Sequence, residues 1–142
     1  LGDVYKRQHT DWWEAESVNG ISPEMVADAP YINEKAAELY AILSQAHWII
    51  GYNVDFDLRF LMGSDIITDE EYNAFRTEDV MIQFAEIYGE YSVYHEDYKW
   101  QKLTTAAAYY DYDWNVKGIE AHNSLADCFA TLFVYHKILS GE

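Results

Sequence analysis

Apolar positions along this chain fall mostly at helical spacing, with one compact apolar run between. From Ile32 the apolar residues fall at Ile32, Ala36, Leu39, Tyr40 and Leu43, a helical spacing with one face toward a core. Trp48-Ile49-Ile50-Gly51 is a compact apolar run that predicts a buried strand. Asn53 then stands as a cap for a helix carrying Phe56, Phe60 and Leu61. Upstream, Ser22-Pro23-Glu24 has the form of a helix start, and Pro30 keeps that helix short. Residues 69–88 predict one or two helices broken near Arg76-Thr77, residues 89–99 a loop, and Leu103 to Tyr110 a helix. The last helix is predicted to present Leu125, Phe129, Leu132, Phe133, His136 and Leu139 on one face, with Gly141 as its left-handed end. Helix, buried strand and helix in succession predict an α/β layered fold. A second strand is expected near Trp12, and the remaining sheet partners upstream, because a lone buried strand cannot pair its backbone groups.

Composition narrows the class. Half of the 142 residues are apolar and 17% are aromatic, far from the signature of disorder. No apolar run is long enough to cross a bilayer, so no membrane partner is expected. Cys128 is the single cysteine, which excludes an internal disulfide and a cysteine-based zinc site. A reducing, cytoplasmic location is the expectation. The net charge of −16 repels polyanions at long range and argues against a protein that coats a duplex. It is compatible with an enzyme that meets phosphate through carboxylate-bound cations.

Two short constellations carry chemistry. Gly51-Tyr52-Asn53-Val54-Asp55-Phe56-Asp57 lies at a strand-to-helix junction, where α/β folds collect ligands. A purely structural account also exists, in which Asn53 caps the helix and Asp55 and Asp57 complement its dipole. His122-Asn123-Ser124-Leu125-Ala126-Asp127 opens the last helix. Five helical steps turn a side chain by roughly 140°, so His122 and Asp127 converge only if His122 precedes the helix. Ser124 and Asp127 also fit a capping box.

Taken together, these motifs resemble the second and third motifs of the DEDDh-type 3′–5′ exonucleases. That group includes the proofreading subunit of bacterial replicative polymerases and ribonuclease T. The likeness covers nearly everything after residue 11: Val18 to Val26 as a helix entry, Asn53-x-x-Phe56-Asp57, Thr77-x-Asp79, Lys102-Leu103 and His122-x-x-x-x-Asp127, in the family's order. Tyr52 stands where the family often has histidine.

The resemblance implies a ribonuclease H-like fold, a mixed sheet flanked by helices. It implies that Asp57 and Asp127 are metal-ligand carboxylates for two Mg²⁺ or Mn²⁺ ions, that His122 is the general base, and that Asn53 and Phe56 contact substrate. The implied activity is removal of nucleoside 5′-monophosphates from the 3′ ends of single-stranded DNA or RNA. Association as a polymerase subunit or a homodimer is implied as well. A catalytically degenerate nucleic-acid or protein interaction module of the same fold is the alternative.

The family's first motif, Asp-x-Glu at the end of the first strand, is expected upstream of Trp12, and nothing there fits it. Asp69-Glu70-Glu71 matches in letters but follows the second motif and reads as a helix start. The opening Leu1 to Gln8 resembles a translated sequencing-adapter scar. Residues 1–10 are therefore expected to be a non-native or disordered leader, and 11–142 a partial exonuclease domain that lacks its opening strands and is inactive alone. Tyr88, Tyr91, Tyr94, Tyr98, Trp100, Tyr109, Tyr110 and Tyr112 could stack bases, although packing explains most of them. Arg59, Lys99, Lys102 and Lys117 could contact phosphate or be ordinary surface charge.

Overall fold

The structure is a computed structural model, and it describes residues 16–17, 20–117 and 124–142. The expected leader, the strand near Trp12 and His122 lie outside the described residues. The chain forms two compact units, one of residues 1–49 and 55–76, the other of residues 50–54 and 77–142.

In the first unit, the segment from Ser22 to Ala29 is a series of tight turns rather than the short helix expected. Met25, Ala27 and Ala29 each donate to a carbonyl three residues back. The Ser22 hydroxyl does accept from the Met25 amide, at 3.4 Å. A single 3-10 turn (Ile32–Lys35) leads into α1 (Ala36–Gln45). Ile32, Ala36, Leu39 and Leu43 are half-buried as the spacing predicts, but Tyr40, expected on the same face, is exposed, and no residue of α1 is fully buried. Helix α2 (Val54–Gly63) buries Leu58, and the turn after it buries Ile66 and Ile67. The helix carries Phe56, Phe60 and Leu61 as predicted, with Phe56 and Phe60 67% and 59% exposed and Leu61 half-buried. Val54 and Leu58, four residues apart, form the face that is buried.

Helix α3 (Asp69–Ala74) starts with a capping box. The Thr68 hydroxyl accepts from the Glu71 amide at 3.2 Å, and the Glu71 carboxylate accepts from the Thr68 amide at 2.7 Å. Asp69-Glu70-Glu71 is thus a helix start, as read from its context.

The second unit holds the larger core. Strand β1 (Ile49–Gly51), whose last two residues belong to this unit, pairs with β2 (Thr77–Asp79). The strand is where the apolar run predicts it, but Ile50 is 39% exposed rather than buried. The predicted break near Arg76-Thr77 is β2 itself. Helix α4 (Val80–Tyr88) follows at once and ends on Gly89, whose φ of 77° supplies the left-handed cap. Residues 89–99 are a hairpin rather than a plain loop: β3 (Tyr91–Ser92) and β4 (Asp97–Tyr98) are antiparallel, with Tyr91 opposite Tyr98. Their rings meet edge to face at 5.5 Å, which a charge-rich segment without period does not reveal. Helix α5 (Leu103–Tyr109), a 3-10 turn (Trp114–Lys117) and α6 (Ser124–Ser140) complete the unit.

Helix α6 packs on α4 and α5. Val80, Phe84, Ala106 and Val134 are fully buried, with Tyr52, Tyr110, Phe133, Tyr135 and Ile138 against them. The face predicted for α6 is only partly right. Phe129 and Phe133 are half-buried, but Leu125, Leu132, His136 and Leu139 face solvent, and Ala126, Ala130, Thr131 and Val134 are buried. The buried face of α6 is the one packed on α4 and α5, where Ala106 and Ala107 of α5 are themselves buried. Gly141 ends α6 at φ 71°, as expected.

The fold class is α/β. The expected mixed sheet is not found among the described residues, where the strands form two separate pairs. No helix of the described residues is long and apolar enough to cross a membrane.

Candidate active site

The strand-to-helix junction is built by four constraints. Gly51 closes β1 against the start of α2, and a Cβ on it would sit 2.9 Å from the Cβ of Val54, so no larger residue fits without movement. Tyr52 points its ring into the core of the second unit and donates its hydroxyl to the Gln101 carbonyl at 2.8 Å. Burial, and then the Asp79 charge, push the Tyr52 phenol far above its ordinary value, so it stays a neutral donor. Asn53 adopts a left-handed backbone at φ 64°, which asparagine tolerates better than other side-chain-bearing residues.

The fourth constraint comes from β2. One oxygen of Asp79, Oδ1, accepts from the Asn53 amide at 3.0 Å and from the Met81 amide at 3.0 Å. The other, Oδ2, accepts from the Val54 amide at 3.1 Å. Asp79 is therefore the N-cap of α4 and also binds the first amides of α2. The role expected of the Asn53 side chain, satisfying the helix start, is taken here by a carboxylate 26 residues away.

The acids of α2 differ in surroundings. Asp55 is bonded to Arg59 at 2.7 Å and to the Tyr72 hydroxyl, which first and foremost holds its carboxyl below the ordinary value. Arg59 lies 5.9 Å from the centre of the Tyr72 ring and is thus engaged within its own unit. Asp57 is in the first turn of α2 with its side chain exposed, beside the exposed ring of Phe56. Asp127 is in the first turn of α6 and half-buried. Its helix neighbours Ala126 and Ala130 are in the core, which fixes the helix that carries it.

With these placements in hand, comparison with known proteins supplies the family. Residues 6–135 match the family described as exonuclease (RNase_T). The chain belongs to the exonuclease family. No curated protein and no solved structure gives a significant match. Family membership agrees with the resemblance carried by residues 53–57 and 122–127, and it supports a nuclease, a hydrolase, in general terms.

Exonucleases of this family generally use divalent metals, and donor chemistry decides which residues suit one. Asp57 and Asp127 are hard oxygen donors of the kind Mg²⁺ and Mn²⁺ prefer, and both side chains reach solvent. Among the described residues no three of His, Cys, Asp and Glu gather into a group that could hold a metal ion. The donor types therefore fit, while the described residues do not assemble a full ligand set.

The sequence pattern singles out Thr77-x-Asp79 and Tyr52 but assigns neither a part in the junction. Asp79 carried a signal, an acid immediately before an apolar helix, which marks an N-cap. Nothing in the one-dimensional pattern links it to Asn53 and Val54.

Proposed function

We propose that the intact protein is a metal-dependent 3′–5′ exonuclease of the DEDDh type with a ribonuclease H-like fold. It hydrolyses phosphodiester bonds of single-stranded DNA or RNA from the 3′ end and releases nucleoside 5′-monophosphates. The observation that carries this reading is the ordered motif pair: Asp57 and Asp127, each in the first turn of its helix, within a chain matched by the exonuclease family over residues 6–135.

In this reading Asp57 and Asp127 are metal-ligand carboxylates. Two Mg²⁺ or Mn²⁺ ions, when bound, supply Lewis acidity for an in-line displacement. His122 accepts the proton of the attacking water; the water oxygen bonds to phosphorus, and the 3′ oxygen of the preceding nucleotide leaves with the electron pair. An imidazole with an ordinary pKa near ~6.5 suits that transfer at neutral pH. Asn53 and Phe56 contact the terminal nucleotide, and the exposed Phe56 ring suits stacking on a base, which is tolerant of sequence. Single-stranded 3′ ends are the partner, in a cytoplasmic protein acting as a homodimer or polymerase subunit.

The test is a 5′-labelled single-stranded oligonucleotide incubated with the intact protein. The reading expects a ladder shortening from the 3′ end with Mg²⁺ or Mn²⁺, abolished by chelator and reduced roughly 10²–10⁴-fold by His122→Ala. An intact protein that leaves the oligonucleotide whole with either ion would instead be a degenerate interaction module.

A further inference from the structure

The turn that launches α2 is held from outside α2. Asn53 has a left-handed backbone, an arrangement that costs free energy and persists only where its surroundings over-determine it. The group that does so is the Asp79 carboxylate, with both oxygens engaged: Asn53 and Met81 amides on Oδ1 and the Val54 amide on Oδ2. Those amides are the first donors of two helices, so one carboxylate ties the start of α2 to the start of α4. Tyr52, bonded to the Gln101 carbonyl, and Gly51, in close contact with Val54, hold the residues just before. Met81, Phe84 and Ala85 of α4 are buried, so the anchor behind Asp79 is the core of the second unit.

We propose that Asp79 is a positioning residue for the nuclease: it fixes the 53–54 turn and thereby the direction in which the first turn of α2 presents Phe56 and Asp57. The proposal rests on the reading of Asp57 as a metal-ligand carboxylate. Asp79 has its oxygens committed to backbone amides, so its part is to orient the turn. Charge-assisted bonds from amides to a carboxylate are stronger than neutral ones, and here they replace water at a helix start. A small rotation at Val54 would swing every side chain of the first turn of α2. Supporting residues of this kind change metal affinity or activity by roughly 10–100-fold when removed.

The experiment compares Asp79→Ala and Asp79→Asn with the wild type in the full-length protein, using two readouts. The first, independent of activity, is amide hydrogen exchange: Asn53 and Val54 should lose protection in Asp79→Ala, while amides within α5 keep theirs. The second is 3′ trimming of a single-stranded oligonucleotide across a Mn²⁺ titration. Asp79→Ala should need roughly 10-fold or more Mn²⁺ for half-maximal rate and show a lower kcat, with KM for the oligonucleotide little changed. Asp79→Asn, which keeps one acceptor oxygen, should fall between.

Thr68→Ala, which loses the cap of α3, serves as the comparison for lost stability alone. It should lower Tm without moving the Mn²⁺ requirement. A folded Asp79→Ala protein with wild-type protection at residues 53 and 54, or with the wild-type Mn²⁺ requirement, overturns the proposal. A wild-type protein that trims nothing with either ion overturns the nuclease reading itself, and the proposal with it.

Discussion

The carboxylate of Asp79 accepts the amide of Val54 at 3.1 Å, joining the first residue of one helix to the residue that caps another. Between them the chain runs through all of α2 and α3, yet the two ends of that excursion meet at a single side chain. The junction 51–54 is therefore held at several points in the second unit, and its tolerance to change can be stated residue by residue.

Gly51→Ala is expected to destabilise the protein by about 1–3 kcal/mol, because the new methyl would overlap the Val54 side chain. Thermal or urea denaturation measures it. A wild-type Tm would mean that β1 and Val54 can move apart freely.

The two acids at the start of α2 should separate by function. Asp57→Asn is expected to reduce 3′ trimming by two orders of magnitude or more, about 3 kcal/mol in the barrier, with little change in Tm. Asp55→Asn removes only a surface interaction with Arg59 and Tyr72 and should leave the rate near wild type. Equal losses in both would show that the first-turn charge matters rather than a particular carboxylate.

The capping box of α3 sets an acid limb. The Glu71 carboxyl is held below its ordinary 4.5 first by the Thr68 amide, then by the Tyr40 and Thr68 hydroxyls. A folded value lower than the unfolded one means the stabilisation is complete above about pH 4.5 and fades as pH falls through the lowered value. Glu71→Gln should flatten the dependence of Tm on pH in that acid range and lower Tm at neutral pH. Thr68→Ala, losing the cap itself, should cost about 1 kcal/mol.

Tyr110 places its hydroxyl among core groups with no hydrogen-bond partner among the described residues. Burial is the first cause of its raised pKa. Tyr110→Phe removes an unsatisfied polar atom and keeps the ring contacts with Phe84 and Tyr109. The variant is expected to be neutral or more stable by about 1 kcal/mol. A loss of 2 kcal/mol or more in a urea titration would reveal a partner for the hydroxyl.

Local rules were legible where the cause is local. The helix at Ala36–Gln45, the helix start at Asp69, the left-handed end at Gly141 and the helix at Leu103 each follow from residues within a few positions of one another. The placement of Asp57 and Asp127 in first turns followed from the same signals. The hairpin at Tyr91–Tyr98 was hidden, because its register depends on cross-strand ring contact rather than on alternation.

By itself, then, the order of residues determined the helices after residue 32 and the two acid-bearing motifs, since hydrogen bonds to near neighbours and side-chain spacing decide those, while the helix expected at Ser22 is a series of turns. Which face of α6 is buried was decided only in three dimensions, by its packing on α4 and α5, which covers Ala126, Ala130, Thr131 and Val134 and leaves Leu125, Leu132 and Leu139 in solvent. The same holds for the start of α2, whose cap comes from Asp79, a contact that only the folded chain brings within 3.1 Å.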